Sequence, residues 1–266
     1  VRTLGPCTVR SPLRFDTVRD PRSPDFVRDD ARVLYRIETT TDFAPDVRLS
    51  FEKAGPREMI FFEPSTVRAA MVTCGGLSPG INNVLRALVL ELYHRYGVRH
   101  ILGYRYGYEG MHMTKGEAPM PLTPTAVRFI HEEGGSFLGS GRGKQDVGQL
   151  VDRLVADGIS VFFIVGGDGT LRGGEAIADE IHRRGLSIAV VGVPKTIDND
   201  IAFMDRTFGF ETAVEVARGA LRAAHTEATG ARNGIGLVKL MRRDAGFIAA
   251  HATLASSDVN FCLVPE

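Results

Sequence analysis

Three times in this chain a short apolar run of strand character ends in a glycine- or proline-bearing turn and passes into apolar residues at helical spacing. That recurrence restricts the fold more than any other feature. The runs are 69–73, 161–165 and 188–193, and the turns after them are 73–80, 166–170 and 194–200. Past the first turn, Ile81, Val84, Leu85, Leu88 and Leu92 fall on one helical face and predict a helix over 81–96, with Ser78 as its N-cap and Pro79 in its first turn. Further strands are expected at 100–104, 235–240 and 261–264, and further helices at 147–156, 174–184, 211–228 and 246–256. Strands alternating with helices predict an α/β fold, a doubly wound and mostly parallel sheet with helices on both faces. In such sheets ligands lie outside the carboxyl ends of the strands, so the turns that follow strands are where chemistry is expected.

Residues 1–66 read differently. They are rich in Arg, Asp, Pro and Thr with only short apolar runs, and are expected to form an irregular N-terminal extension ahead of a main region over 67–266. Lys plus Arg and Asp plus Glu each total 32, so the overall charge points to neither nucleic acid nor an anionic membrane as partner. No apolar run approaches the roughly 18 residues of a bilayer span, and the start lacks a basic-then-apolar export pattern. Cys7, Cys74 and Cys262 are odd in number and far apart, which fits free thiols in a reducing compartment. The expectation is a soluble cytoplasmic protein. The seven histidines show no metal-binding spacing.

The three turns carry different chemical groups. Thr73-Cys74-Gly75-Gly76-Leu77-Ser78-Pro79-Gly80 leads into a helix N-terminus, where backbone N–H groups and the helix dipole favour a phosphate. Gly166-Gly167-Asp168-Gly169-Thr170 sets one carboxylate among glycines, which lets phosphate oxygens reach the backbone while Asp168 holds Mg²⁺ directly or through water. Pro194-Lys195-Thr196-Ile197-Asp198-Asn199-Asp200 crowds two carboxylates beside a hydroxyl and a lysine, a costly arrangement unless a metal or a substrate proton engages it. Each turn taken singly also fits a plain solvated loop. A fourth segment, Gly139-Ser140-Gly141-Arg142-Gly143, resembles a Walker A loop only superficially, because Leu138 and Gln145 stand where that loop needs glycine and a hydroxyl. Arg142 remains a candidate bidentate partner for a phosphoryl group.

Taken together and in this order, Gly75-Gly76-Leu77-Ser78-Pro79-Gly80-Ile81-Asn82, Gly139-Ser140-Gly141-Arg142-Gly143, Gly167-Asp168-Gly169-Thr170 and the third turn resemble the phosphofructokinase family. Phe208-Gly209-Phe210 and Gly246-Phe247-Ile248-Ala249 are similar to it too, and Ala54-Gly55-Pro56-Arg57 resembles the extension of its long, plant- and trypanosome-like ATP-dependent branch. The resemblance implies transfer of a phosphoryl group from ATP to the 1-hydroxyl of fructose 6-phosphate, a step of glycolysis. It places Gly75, Arg142, Gly143, Gly167, Asp168, Gly169 and Thr170 around the nucleotide phosphates, with Asp168 carrying Mg²⁺. It places Thr196, Ile197, Asp198, Met241, Arg242, Arg243 and Glu266 at the sugar phosphate, with Asp198 as general base and Arg142 on the transferring group. It also implies a homo-oligomer, a homotetramer, under allosteric control.

This chain departs from the family pattern in two ways. Arg242 holds a position that is glycine in the family, which bears on sugar affinity. The chain ends at Glu266, where the family continues into a second domain with the histidine and arginines that hold the 6-phosphate, so a fragment of weak or absent activity is expected. Gly169 resembles ATP users, since pyrophosphate-dependent relatives carry a second aspartate there, whereas Lys195 is shared with pyrophosphate users. The ATP branch combines the two. The alternatives are a pyrophosphate-dependent phosphofructokinase, a sensor of sugar phosphate or nucleotide, and the NAD kinase and diacylglycerol kinase group, against which the third turn weighs.

Overall fold

The computed structural model describes residues 3–14, 26–35, 46–143, 145–241 and 245–265. The chain divides into two compact units, Val1–Val67 with Leu90–Arg99, and Arg68–Val89 with His100–Glu266. In the first unit, β1 (Val9–Arg10) pairs antiparallel with β4 (Met59–Ile60), and β2 (Arg32–Leu34) with β3 (Ser50–Glu52). Arg57 ties the second of these ladders, donating to the Glu52 carboxylate at 3.1 Å and to the Lys53 carbonyl at 2.6 Å.

The second unit is built on a five-stranded sheet ordered β7-β6-β5-β8-β9. Its members are β5 (Arg68–Thr73), β6 (His100–Tyr104), β7 (Met120–Pro121), β8 (Val161–Gly166) and β9 (Ala189–Pro194). The pairs β5–β6, β5–β8 and β8–β9 are parallel, and β7 adds antiparallel to β6. The central strand β5 is buried from Ala69 onward, as expected of a parallel strand covered on both faces, and this is why it reads as an unbroken apolar run. The short edge strand β7 is only two residues long and carries no such run, so no apolar pattern marks it.

The helices are α1 (Ile81–Leu90), continued by a π turn over Glu91–Arg95, then α2 (Val147–Ala156), α3 (Asp168–Arg183), α4 (Phe210–Gly230) and α5 (Phe247–Leu254). Asp146 caps α2, its carboxylate accepting the Gln149 N–H at 3.0 Å. Leu150, Val151 and Leu154 of α2 and Ile177 and Ile181 of α3 pack against Val72, Tyr104, Phe162 and Ile164 on one face of the sheet. Two polar groups enter this core. Arg153 and the Tyr104 hydroxyl both donate to the Asp157 carboxylate, at 2.6 and 2.8 Å, so neither is left unpaired. On the other face, Leu122 and Leu138 close on Gly103, and a Cβ there would meet Leu138 at 2.5 Å. A separate cluster joins Phe210, Val214 and Ala217 of α4 to Ile248 and Ala252 of α5.

Four expectations need correction. The hydroxyl of Ser78 does not cap α1. It donates to the Phe208 carbonyl at 2.8 Å, and both Ser78 and Pro79 precede the helix, which opens at Ile81. Helix α3 begins at Asp168 rather than Gly174, because its opening turns hold Gly169, Gly173 and Gly174, whose poor helix propensity hides them in the sequence. The runs 235–240 and 261–264 form no strand. Ile235 and Leu237 are 92% and 86% exposed, and no described strand lies beside either run to satisfy its backbone groups.

Candidate functional site

The first turn leaves β5 at Thr73 and bends back at Gly75, whose φ of +84° is costly for any residue with a Cβ. Cys74 makes an isolated parallel bridge with Gly141, and the Gly75 N–H donates to the Gly141 carbonyl at 3.0 Å. Side chains from two other loops complete the hold. The Ser140 hydroxyl donates to the Gly75 carbonyl at 2.6 Å, and the Lys195 ammonium donates to the Gly76 carbonyl. Burial pushes the Cys74 thiol up to about 12, which makes it an inert packing group rather than a nucleophile.

The second turn is the start of a helix. Gly167 is the N-cap of α3 and its carbonyl accepts from Thr170 and Leu171, both at 2.9 Å, while Asp168 sits exposed in the first turn. A helix N-terminus with glycines at its cap and second position presents free N–H groups and a positive dipole end to an anion. No heavy atom lies within 4 Å of where a Cβ on Gly169 would stand. Thr170 is buried, and its carbonyl accepts the Tyr108 hydroxyl at 2.9 Å.

The third turn, after β9, is the most enclosed. Lys195, Thr196 and Asp198 are 6%, 8% and 6% exposed. Thr196 donates its hydroxyl proton to Asp200 at 2.7 Å, and its oxygen accepts the Asp198 N–H at 3.1 Å, so a single hydroxyl fixes the backbone of Asp198. Asn199 turns the chain with a φ of +57° and donates to the Asp205 carbonyl at 3.0 Å. Burial lowers the Lys195 pKa from the usual lysine value. Cys74 opposes that shift, Arg142 adds to it, and Asp198 opposes it.

These turns converge on one cleft of about 870 Å³. Of the residues expected at the nucleotide, Gly75, Arg142, Gly143, Gly167, Asp168, Gly169 and Thr170 all line it. Of those expected at the sugar, Thr196, Ile197, Asp198 and Met241 line it as well, while Arg242, Arg243 and Glu266 lie outside the described residues. Asp168 and Asp198, from turns after two different strands, thus border the same space. Lys195 and Asp200 of the third turn line it too, as do Tyr108 and Glu109, which carry no role in the sequence pattern. Lys195 and Asp200 were visible inside the third turn. Tyr108 follows β6 in a segment without a phosphate-loop pattern, and only the fold brings it in. Among the described residues, no three His, Cys, Asp or Glu side chains cluster as a self-contained metal site.

A parallel sheet with glycine-bearing turns gathered at its carboxyl rim defines an α/β protein built to hold anions in one cleft. The sequence pattern described as Phosphofructokinase matches residues 68–266, and the chain belongs to that family. It is 49% identical to the ATP-dependent 6-phosphofructokinase of Borreliella burgdorferi, covering 100% of this chain and 60% of the relative. It is 54% identical to that of Entamoeba histolytica, covering 81% of this chain and 49% of the relative. A solved pyrophosphate-dependent phosphofructokinase from Marinobacter aquaeolei superposes with a TM-score of 0.61 at 25% identity, covering 71% of this chain and 50% of that one. The chain therefore spans about half to three-fifths of the length of these three proteins.

Proposed function

We propose that the protein to which this chain belongs transfers the γ-phosphoryl group of ATP to the 1-hydroxyl of fructose 6-phosphate. The observation that carries the reading is the shared cleft: Asp168 at a helix N-terminus, Arg142, and the buried pair Thr196 and Asp198 all border it. In this reading Gly143 and the first turn of α3 meet the donor phosphates with backbone N–H groups, while Gly75, whose own N–H is taken by the Gly141 carbonyl, keeps the approach free of a side chain. Asp198 takes the proton from the attacking hydroxyl, a role worth about 10²–10⁴-fold, and the hydroxyl of Thr196 holds it in place. Arg142 pairs with the transferring group, whose charge positioning and electrostatics must balance. Met241 borders the sugar side.

The donor set suits Mg²⁺, which typically binds through one or two carboxylates plus substrate phosphates rather than in an all-protein cage. Asp168 would hold it, and when bound the ion supplies neutralisation of the phosphate charge. The two curated relatives are named ATP-dependent, and the open space at Gly169 leaves room for the body of a nucleotide. The three free cysteines favour a cytoplasmic setting, and the homo-oligomer and its allosteric control rest on the family resemblance alone. A coupled assay on the full-length protein with fructose 6-phosphate, comparing ATP with pyrophosphate, tests the reading. Turnover with ATP alone is expected. Turnover with pyrophosphate alone selects the pyrophosphate-dependent alternative, and binding without turnover selects the sensor.

A further inference from the structure

Asn82 is a buried polar side chain that the chemistry above leaves without a task. It lies in the first turn of α1, immediately past the first phosphate turn, and is 2% exposed. Its amide nitrogen donates to the Glu133 carbonyl at 3.1 Å, and its amide oxygen accepts the Phe137 N–H at 2.7 Å. One side chain therefore grips both ends of the segment 133–137, which runs directly into Ser140, Gly141 and Arg142. Thr73, at the other end of the same turn, holds the segment one step further on. Its hydroxyl lies 2.9 Å from the Ser136 hydroxyl and donates to the Gly139 carbonyl at 2.5 Å. The Ser140 hydroxyl then closes on Gly75. At the end of this series the Arg142 guanidinium stands over the first turn, 3.5 Å from where a Cβ on Gly76 would be.

We propose that Asn82 is a positioning residue that sets Arg142 against the first phosphate turn. Arg142 is exposed at the end of a glycine-rich loop that Gly141 ties to the first turn and Leu138 ties to Tyr106, and the course of the chain into that loop depends on where 133–137 is anchored. Asn82 supplies the anchor from the helix that the first turn itself launches. The two anion-binding loops then move as one piece, and the guanidinium meets a phosphate without first having to be ordered. The proposal rests on the phosphoryl-transfer reading for its role in turnover, while the anchoring itself requires only that the cleft bind a nucleotide.

A double-mutant cycle on the full-length protein tests it. Asn82→Asp keeps the acceptor for Phe137 and removes the donor to Glu133, and is measured alone and in an Arg142→Ala background for kcat, the KM for fructose 6-phosphate and the Kd of Mg·ATP. With Arg142 present, kcat is expected to fall about tenfold and Mg·ATP to bind about threefold more weakly, with the sugar KM changed less than about twofold. Without Arg142, the same change is expected to alter none of the three by more than about twofold. Equal losses in both backgrounds, or no loss in either, overturn the proposal. Should Asn82→Asp fail to fold, Asn82→Ser removes both ties without adding charge and is read by the same criteria. If the parent protein binds Mg·ATP but does not turn over with fructose 6-phosphate, the functional reading fails while the Kd cycle still decides the role of Asn82.

Discussion

Two stretches of this chain are written alike and fold differently. The apolar runs that became β5, β8 and β9 and the runs at 235–240 and 261–264 share branched or aromatic residues and polar or glycine flanks. In the first set Val72 and Ile164 are fully buried, whereas in the second Ile235, Leu237, Phe261 and Leu263 are 92%, 86%, 86% and 86% exposed. The difference lies in the neighbours. β5 has a strand on either side and a layer of α2 and α3 side chains over it, and the later runs have no described strand beside them. Apolar alternation states which residues favour a sheet, and pairing is decided by what the rest of the fold places alongside.

The two exposed or buried thiols give the largest contrast. Cys74 follows β5 directly and is buried, and Cys262 lies exposed in the later stretch. Because the thiolate is the reacting form, moving Cys74 from 9.0 to about 12 lowers its thiolate fraction near pH 8 by roughly a thousandfold. Alkylation followed by mass spectrometry should therefore mark Cys262 and Cys7 quickly and Cys74 only after denaturation. Rapid labelling of Cys74 at pH 8 would contradict its place in the core.

At the rim above that core, Asp198→Asn in the full-length protein should lower kcat by about a hundredfold or more, as expected for loss of a general base. Near-normal turnover would remove Asp198 from that role. A matched pair of small substitutions then compares the two stretches directly. Ile164→Val deletes a methylene from a filled core and should cost about 0.5–1.5 kcal/mol in denaturant unfolding. Ile235→Val, the same chemical change at an exposed position, should stay within about 0.5 kcal/mol of zero. Equal costs at the two positions would mean that 235–240 is packed in the full protein, which would also account for its apolar pattern.

Most of the sheet was legible because parallel buried strands advertise themselves as continuous apolar runs, and the helices between them by their spacing. The turns that line the cleft were legible because their glycines and carboxylates are contiguous in sequence. What escaped depends on contacts between distant segments. The antiparallel strand β7 is two residues long and leaves no pattern. Tyr108 enters the cleft only because β6 ends beside β5, and the start of α3 was hidden by its glycines. The Ser78 hydroxyl, a fair N-cap by local rules, is taken by Phe208, which stands far along the chain. Asn82 reads as an ordinary helix residue until its two partners at Glu133 and Phe137 are seen.

The proposed division of labour sets Asp168 with the donor phosphates and Asp198 with the acceptor hydroxyl, both bordering one cleft. Calorimetric titration of Mg·ATP into full-length Asp168→Asn and Asp198→Asn measures that division without relying on turnover. It should find binding weakened about tenfold or more in the first and changed less than about threefold in the second. Strong binding to Asp168→Asn together with lost binding to Asp198→Asn would reverse the assignment and contradict the account.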